Sequence, residues 1–201
     1  MTDRKPLLVT SEMMQAGEMP LLFIGGASNI QTEDGPIRNP GRDQLARWLD
    51  EQGWSYFDPQ IHYATHGRDY IWGIDGPQEK IAREMTKLRV YEINPFTIAA
   101  VSIMEVMDDA RLGRISIVWY NGGRIFKPLG LGSRDDFRDN QKLREQIGDM
   151  AYWHLDAYLN AGRHIRIELP KMLEGVKNVV FLESFDEVKT AISVIMKKLL
   201  S

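Results

Sequence analysis

Apolar positions along this chain alternate between short unbroken runs and stretches in which they recur every third or fourth residue. The runs read as strands buried on both faces, and the spaced stretches as helices with one apolar side. The first run, residues 21–24 in PLLFIGGASN, ends in two glycines. Residues 30–39 (IQTEDGPIRN) lack either pattern and are expected to form a loop. Pro40 suits a first helical turn, and the helix it opens, through Leu45, Trp48 and Leu49, stops at Gly53. WSYFDP (54–59) reads as a second strand cut by Pro59, and 60–76 as a long polar and aromatic loop. Pro77 is the expected start of a helix with Ile81, Met85 and Leu88 on one face. In LRVYEI, Val90, Tyr91 and Ile93 ahead of Asn94-Pro95 favour a buried strand over a continued helix. There follow a helix over 97–110, the strand RISIVWY (114–120), a helical pattern within 133–162, the strand NVVFLE (178–183) and a last amphipathic helix bearing Lys197 and Lys198 near its C-terminus.

Strands thus alternate with helices five times. That rhythm predicts one α/β domain over 1–201, a flavodoxin- or Rossmann-like five-stranded parallel sheet flanked by helices, with a helical insertion after strand four. Residues 1–19 form an N-terminal extension, and 121–165 an insertion or interface segment. Right-handed crossovers carry the loop after every strand to one sheet edge, where such folds bind ligands. Residues 25–29, 58–62, 94–105 and 121–124 belong to that edge.

Composition narrows the chemistry. A net charge of −3 and a pI near 5.8 argue against a nucleic acid polymer as partner. The absence of cysteine removes disulfides, thiolate metal sites and a cysteine nucleophile. The N-terminal stretch has no apolar core of a signal peptide, and no run approaches a membrane span, so cytoplasm is the expected location. No metal or cofactor is expected. His62 and His66 have the spacing of two ligands on one helix face, but the segment is a poor helix without a supporting motif.

Several residues of the ligand edge carry chemistry. Gly25 and Gly26 let a ligand or another backbone approach closely, or simply make a turn. Glu105 in SIMEVMDDA is surrounded by apolar neighbours, with Ser102 one turn before it; partial burial would raise its pKa. Glu79 either favours a helix N-terminus or forms the second member of a carboxylate pair, as in glycosidases, where a retaining pair lies about 5 Å apart. Gln60, after Asp58-Pro59, offers a donor and an acceptor suited to a nucleobase edge. Tyr56, Tyr63, Trp72 and Tyr120 are stacking candidates whose plainer role is packing.

Over residues 20–120 the chain resembles the nucleoside 2-deoxyribosyltransferase superfamily, which includes the 2-deoxynucleoside 5-phosphate N-hydrolases. The likeness rests on LLFIGGAS after the first strand, YFDPQ closing the second, the helix with Glu79 before LRVYEI, and SIMEV. It implies Glu105 as nucleophile, Glu79 as the helix-borne acid, Gln60 as base reader beside Asp58, and Gly25, Gly26 and Ser28 beside the sugar. The chain departs from the family in AAVSIM before Glu105, where glycines are common, and in having glutamate rather than aspartate as the second acid. The implied reaction is attack on C1′ of a deoxyribose, with the glycosyl group then taken by water or a second base. Members commonly assemble and complete their sites with a neighbour's residues. A homo-oligomer through 121–165 is therefore expected, with Asn121 and Arg124 reaching a nucleoside or nucleotide ligand; a lid over the site is the alternative role for that segment. A non-catalytic nucleotide-binding module and a TIR-like NAD hydrolase stay open.

Overall fold

Side chains on a strand alternate between faces, so an unbroken apolar run is stable only where both faces are covered. The computed structural model shows that arrangement. It describes residues 7–27, 29–32, 35–60, 67–93, 100–121 and 140–201, with backbone alone for 29–32, 35–37 and 158–163. In chain order the elements are α1 (Ser11–Gln15), β1 (Leu22–Gly26), β2 (Asn29–Thr32), β3 (Gly35–Arg38), α2 (Pro40–Gln52) and β4 (Tyr56–Phe57). Then come α3 (Trp72–Met85), β5 (Leu88–Ile93), α4 (Ala100–Arg111), β6 (Ser116–Tyr120), α5 (Gln141–Ile147), α6 (Asp149–Met172), β7 (Val179–Leu182) and α7 (Phe185–Leu200).

Five strands pair in the order β4-β1-β5-β6-β7, all parallel. Phe23, Tyr91, Ile93 and Val118 enter one core with Ala82 of α3, Val106 of α4, and Ile165 and Leu169 of α6. Their strand neighbours Leu22, Ile24, Val90, Ile117 and Trp119 enter a second core with Leu45 and Leu49 of α2 and Val188, Ile192 and Met196 of α7. The expected α/β sheet is therefore present, and its strand order reverses between β1 and β5, the position where open α/β sheets open a crevice.

Four details differ from the expected elements. Residues 30–39 contain an antiparallel hairpin, Ile30 opposite Ile37, rather than a loop. The second strand shrinks to two residues because the Trp54 N–H is taken by Leu49 at the end of α2, and Pro59 has no N–H to give. Residues ahead of α1 supply its outer partner: the Val9 N–H donates to the Tyr56 carbonyl at 2.8 Å, and the Tyr56 N–H to that of Leu7. Thirdly, α3 starts at Trp72, leaving Pro77 inside it. The missing donor costs one bond, while Asp75 braces the first turn by accepting from the Ile71 N–H at 2.7 Å. This helix buries Asp75 and Ala82; the predicted apolar face, Ile81 and Met85, is exposed, and Leu88 belongs to β5. Lastly, residues 133–139 of the 133–162 pattern lie outside the described residues; its described part breaks at Gly148 (φ 80°) and runs on to Met172, where Ile165 and Leu169 pack on the sheet. Among the described residues no helix is long and apolar enough to cross a membrane.

Candidate functional site

At the switch point Gly25 faces Tyr91 and Gly26 faces Glu92 across the β1–β5 pairing. A Cβ on Gly25 would overlap the Tyr91 ring, and one on Gly26 (φ 126°) the Glu92 carbonyl. Both glycines are thus required by the neighbouring strand. The Tyr91 hydroxyl donates to Asp109 of α4 at 2.7 Å, and burial beside that carboxylate pushes its phenol far above the ordinary range.

Two glutamates stand over this face on neighbouring helices. The side chain of Glu105 is only 19% exposed, and the Arg83 guanidinium Nε lies 3.6 Å from its Oε1. Burial raises the Glu105 carboxyl to about 7 against the pull of Arg83, with the negative charges of Glu79 and Asp109 adding to the rise. Glu79 is also half-buried, and burial raises it too, opposed first by the Tyr70 hydroxyl, which donates to its Oε2 at 3.0 Å. Arg83 is anchored by Asp109 at 3.1 Å and Asp108 at 3.3 Å. Ser102 is buried one turn before Glu105.

A second polar cluster lies at the same edge, on the α2 side. Buried Arg42 donates to the carbonyls of Gly26 (2.8 Å) and Ile24 (3.2 Å) and pairs with Asp58. Asp58 also accepts from the Gln60 N–H at 2.9 Å. Gln60 is fully buried: its amide oxygen accepts from the Asn39 N–H, and its amide nitrogen donates to Asp43. These bonds make it a brace of the loop that follows β4. Asn39 caps α2 through the Gly41 N–H and donates to the Ala27 carbonyl and, at 2.6 Å, to Glu92. Glu92, fully buried, accepts from Asn121 at 2.9 Å through its other oxygen.

The fold therefore brings Glu105, Glu79 and Ser102 together on α3 and α4, and ties Asp58, Gln60 and Asn121 into the hydrogen-bonded cluster beside α2, from which the charges of Arg42 and Asp58 reach Glu79. Ser28, His62, Tyr63, His66 and Arg124 lie outside the described residues. Tyr56 is a core residue whose hydroxyl reaches Asp50, and Tyr120 packs partly buried against the core. Trp72 is 79% exposed beside Tyr70. Among the described residues no cluster of acidic and histidine side chains has the arrangement of a metal site.

Sequence reasoning passed over Asn39, Arg42, Tyr70, Arg83 and Glu92. Two of them carried a signal. Glu92 is a charge near the end of the apolar run LRVYEI, and Arg83 stands four residues after Glu79, on the same helix face.

The chain matches no protein-family model, no curated protein and no solved structure. What stands is the class: an α/β protein of the flavodoxin- or Rossmann-like kind, its five-stranded sheet wholly parallel. The polar clusters gather at the carboxyl-terminal edge of that sheet, the edge at which open α/β sheets commonly bind ligands.

Proposed function

We propose that the protein cleaves or transfers at the N-glycosidic bond of a deoxynucleoside or its nucleotide, with Glu105 as nucleophile and Glu79 as proton donor. The observation that carries this reading is the pair itself. Two half-buried carboxylates on neighbouring helices sense each other's charge at the switch point, and one of them is poised near neutral pH. In the first step a Glu105 oxygen bonds to C1′ as the C1′–N bond breaks, its electron pair leaving with the base. Glu79, directly or through a water, protonates the base nitrogen. In the second step water attacks C1′, the ester to Glu105 breaks, and Glu79 takes back a proton; a second base in place of water gives transfer. Arg83 favours the ionised Glu105 that the attack needs. The ligand partner in this reading is a small nucleoside or nucleotide, and no cofactor enters the chemistry.

Chromatography of free base from a panel of deoxynucleosides and their 5′-monophosphates tests the reading. Base release should fall on the order of a thousandfold or more in Glu105→Ala, with the circular dichroism spectrum unchanged. In the unmodified protein kcat/KM should rise with pH through about 7, because only the ionised nucleophile attacks. Turnover near normal in Glu105→Ala would sink the assignment. Nucleotide binding without any base release would leave a non-catalytic binding module on the same fold.

A further inference from the structure

We propose that Tyr70 is a positioning residue for Glu79, fixing which carboxyl oxygen carries the proton handed to the departing base; the inference rests on the N-glycosidic reading above. The Tyr70 hydroxyl donates to Oε2 of Glu79 at 3.0 Å. An oxygen that already accepts a hydrogen bond is the poorer place for a proton, so the proton of a neutral Glu79 sits on Oε1. That oxygen is then the one free to serve a substrate.

The geometry is held from several sides. Tyr70 lies between two residues fastened to the same buried carboxylate, Asp75. The Arg68 guanidinium donates to it at 2.7 Å through each of two nitrogens, and the Ile71 N–H donates at 2.7 Å. The Tyr70 ring meets the Trp72 ring at 6.3 Å, tilted by 49°. Both pass over Gly76, where a Cβ would lie 3.5 Å from the Tyr70 hydroxyl and 3.6 Å from the indole. Gly76 is one turn before Glu79, so the ring crosses the helix at a position without a side chain and reaches the carboxylate beyond. This is the support a precise hydrogen bond needs.

A phenol suits the role because it stays a donor. Burial, with the negative charges of Glu79 and Asp75, lifts its ionisation above the ordinary tyrosine range. The other charged groups acting on Glu79 are Arg42 and Arg83, which favour its ionised form, and Asp58 and Glu105, which oppose it. Tyr70 is the largest single influence on the ionised side.

The test is Tyr70→Phe, which keeps the ring and removes the hydroxyl. The carboxyl of Glu79 is followed by carbon-13 NMR titration without substrate, its signal assigned by its loss in Glu79→Gln. Its midpoint should move up by about one pH unit. The limb of the base-release pH profile that Glu79 sets should move with it, and the loss of rate should be greatest for bases that leave poorly. Trp72→Leu, which loosens the neighbouring ring but keeps the hydroxyl, should move the midpoint less than Tyr70→Phe does. An unmoved midpoint in Tyr70→Phe overturns the proposal, as does a moved midpoint with an unmoved pH profile of base release. Absence of base release from the unmodified protein is a separate result: it sinks the N-glycosidic reading, while the substrate-free midpoint still shows whether Tyr70 sets the ionisation of Glu79.

Discussion

Glu105 is the residue at which position and stability oppose each other. Its folded carboxyl titrates near 7 against an ordinary 4.5, because burial disfavours the charged form. Below the lower value the group is neutral folded and unfolded, and costs nothing. As pH rises from there to about 7, the unfolded chain ionises freely while the folded one resists, so stability is lost across that window and stays lost above it. Glu105→Gln should accordingly stabilise the fold at pH 8 by on the order of 2–3 kcal/mol, and by little at pH 4. Urea denaturation at the two pH values checks this, and equal effects at both would show that Glu105 carries no burial cost. The carboxylate was legible in the sequence because apolar neighbours surround it in SIMEVM. The commitment of Gln60 to Asn39 and Asp43 was not, since a glutamine's partners depend on which loops meet, and these lie 21 and 17 residues away.

Among the elements, those ended by local chemistry were read most closely. The helix α2 begins with the Asn39 cap and Pro40 and ends at Gly53 in the left-handed region, φ 76°. No atom lies within 4 Å of a Cβ added at Gly53, so Gly53→Ala isolates backbone strain. It should cost about 1 kcal/mol, seen as a lower urea midpoint with an unchanged slope; no loss would mean the cap relaxes out of the left-handed conformation. The helix α7 likewise starts at a capping box between Ser184 and Glu187. By contrast, α3 begins ahead of its proline and turns Ala82 and Asp75 inward, because a cluster with Arg68 and Ser11 rewards burying an acid there. Periodicity sees the apolar residues Ile81 and Met85 but not that cluster.

At the scale of the molecule, the segment before β1 is part of the fold. Leu7 and Val9 pair with β4, Met14 is buried in the α3-side core, and Ser11 and Glu12 reach Asp75 and Arg68. Those contacts hold Asp75 near 2: burial alone would raise it, but Arg68, the Ile71 N–H and the Ser11 hydroxyl outweigh burial. Removing residues 1–18 leaves Asp75 without Ser11 and bares the outer edge of β4. The shortened chain should lose on the order of 3 kcal/mol or more of unfolding free energy, measured by urea denaturation. Wild-type stability would make the segment an ornament.

The sequence alone determined the class of fold and most of its strands, because hydrophobic period and helix-end residues act over a few positions and are written locally. It also marked Glu105 and Glu79 as carboxylates of interest. Only the tertiary structure decided that β1 lies between β4 and β5, which makes their ends the switch point. The tertiary structure also set those glutamates over the Tyr91 face and sent Asp58, Gln60 and Asn121 to the α2 side. Strand order and hydrogen-bond partnership join residues tens of positions apart, and no local period encodes which distant segment a buried amide or carboxylate will meet.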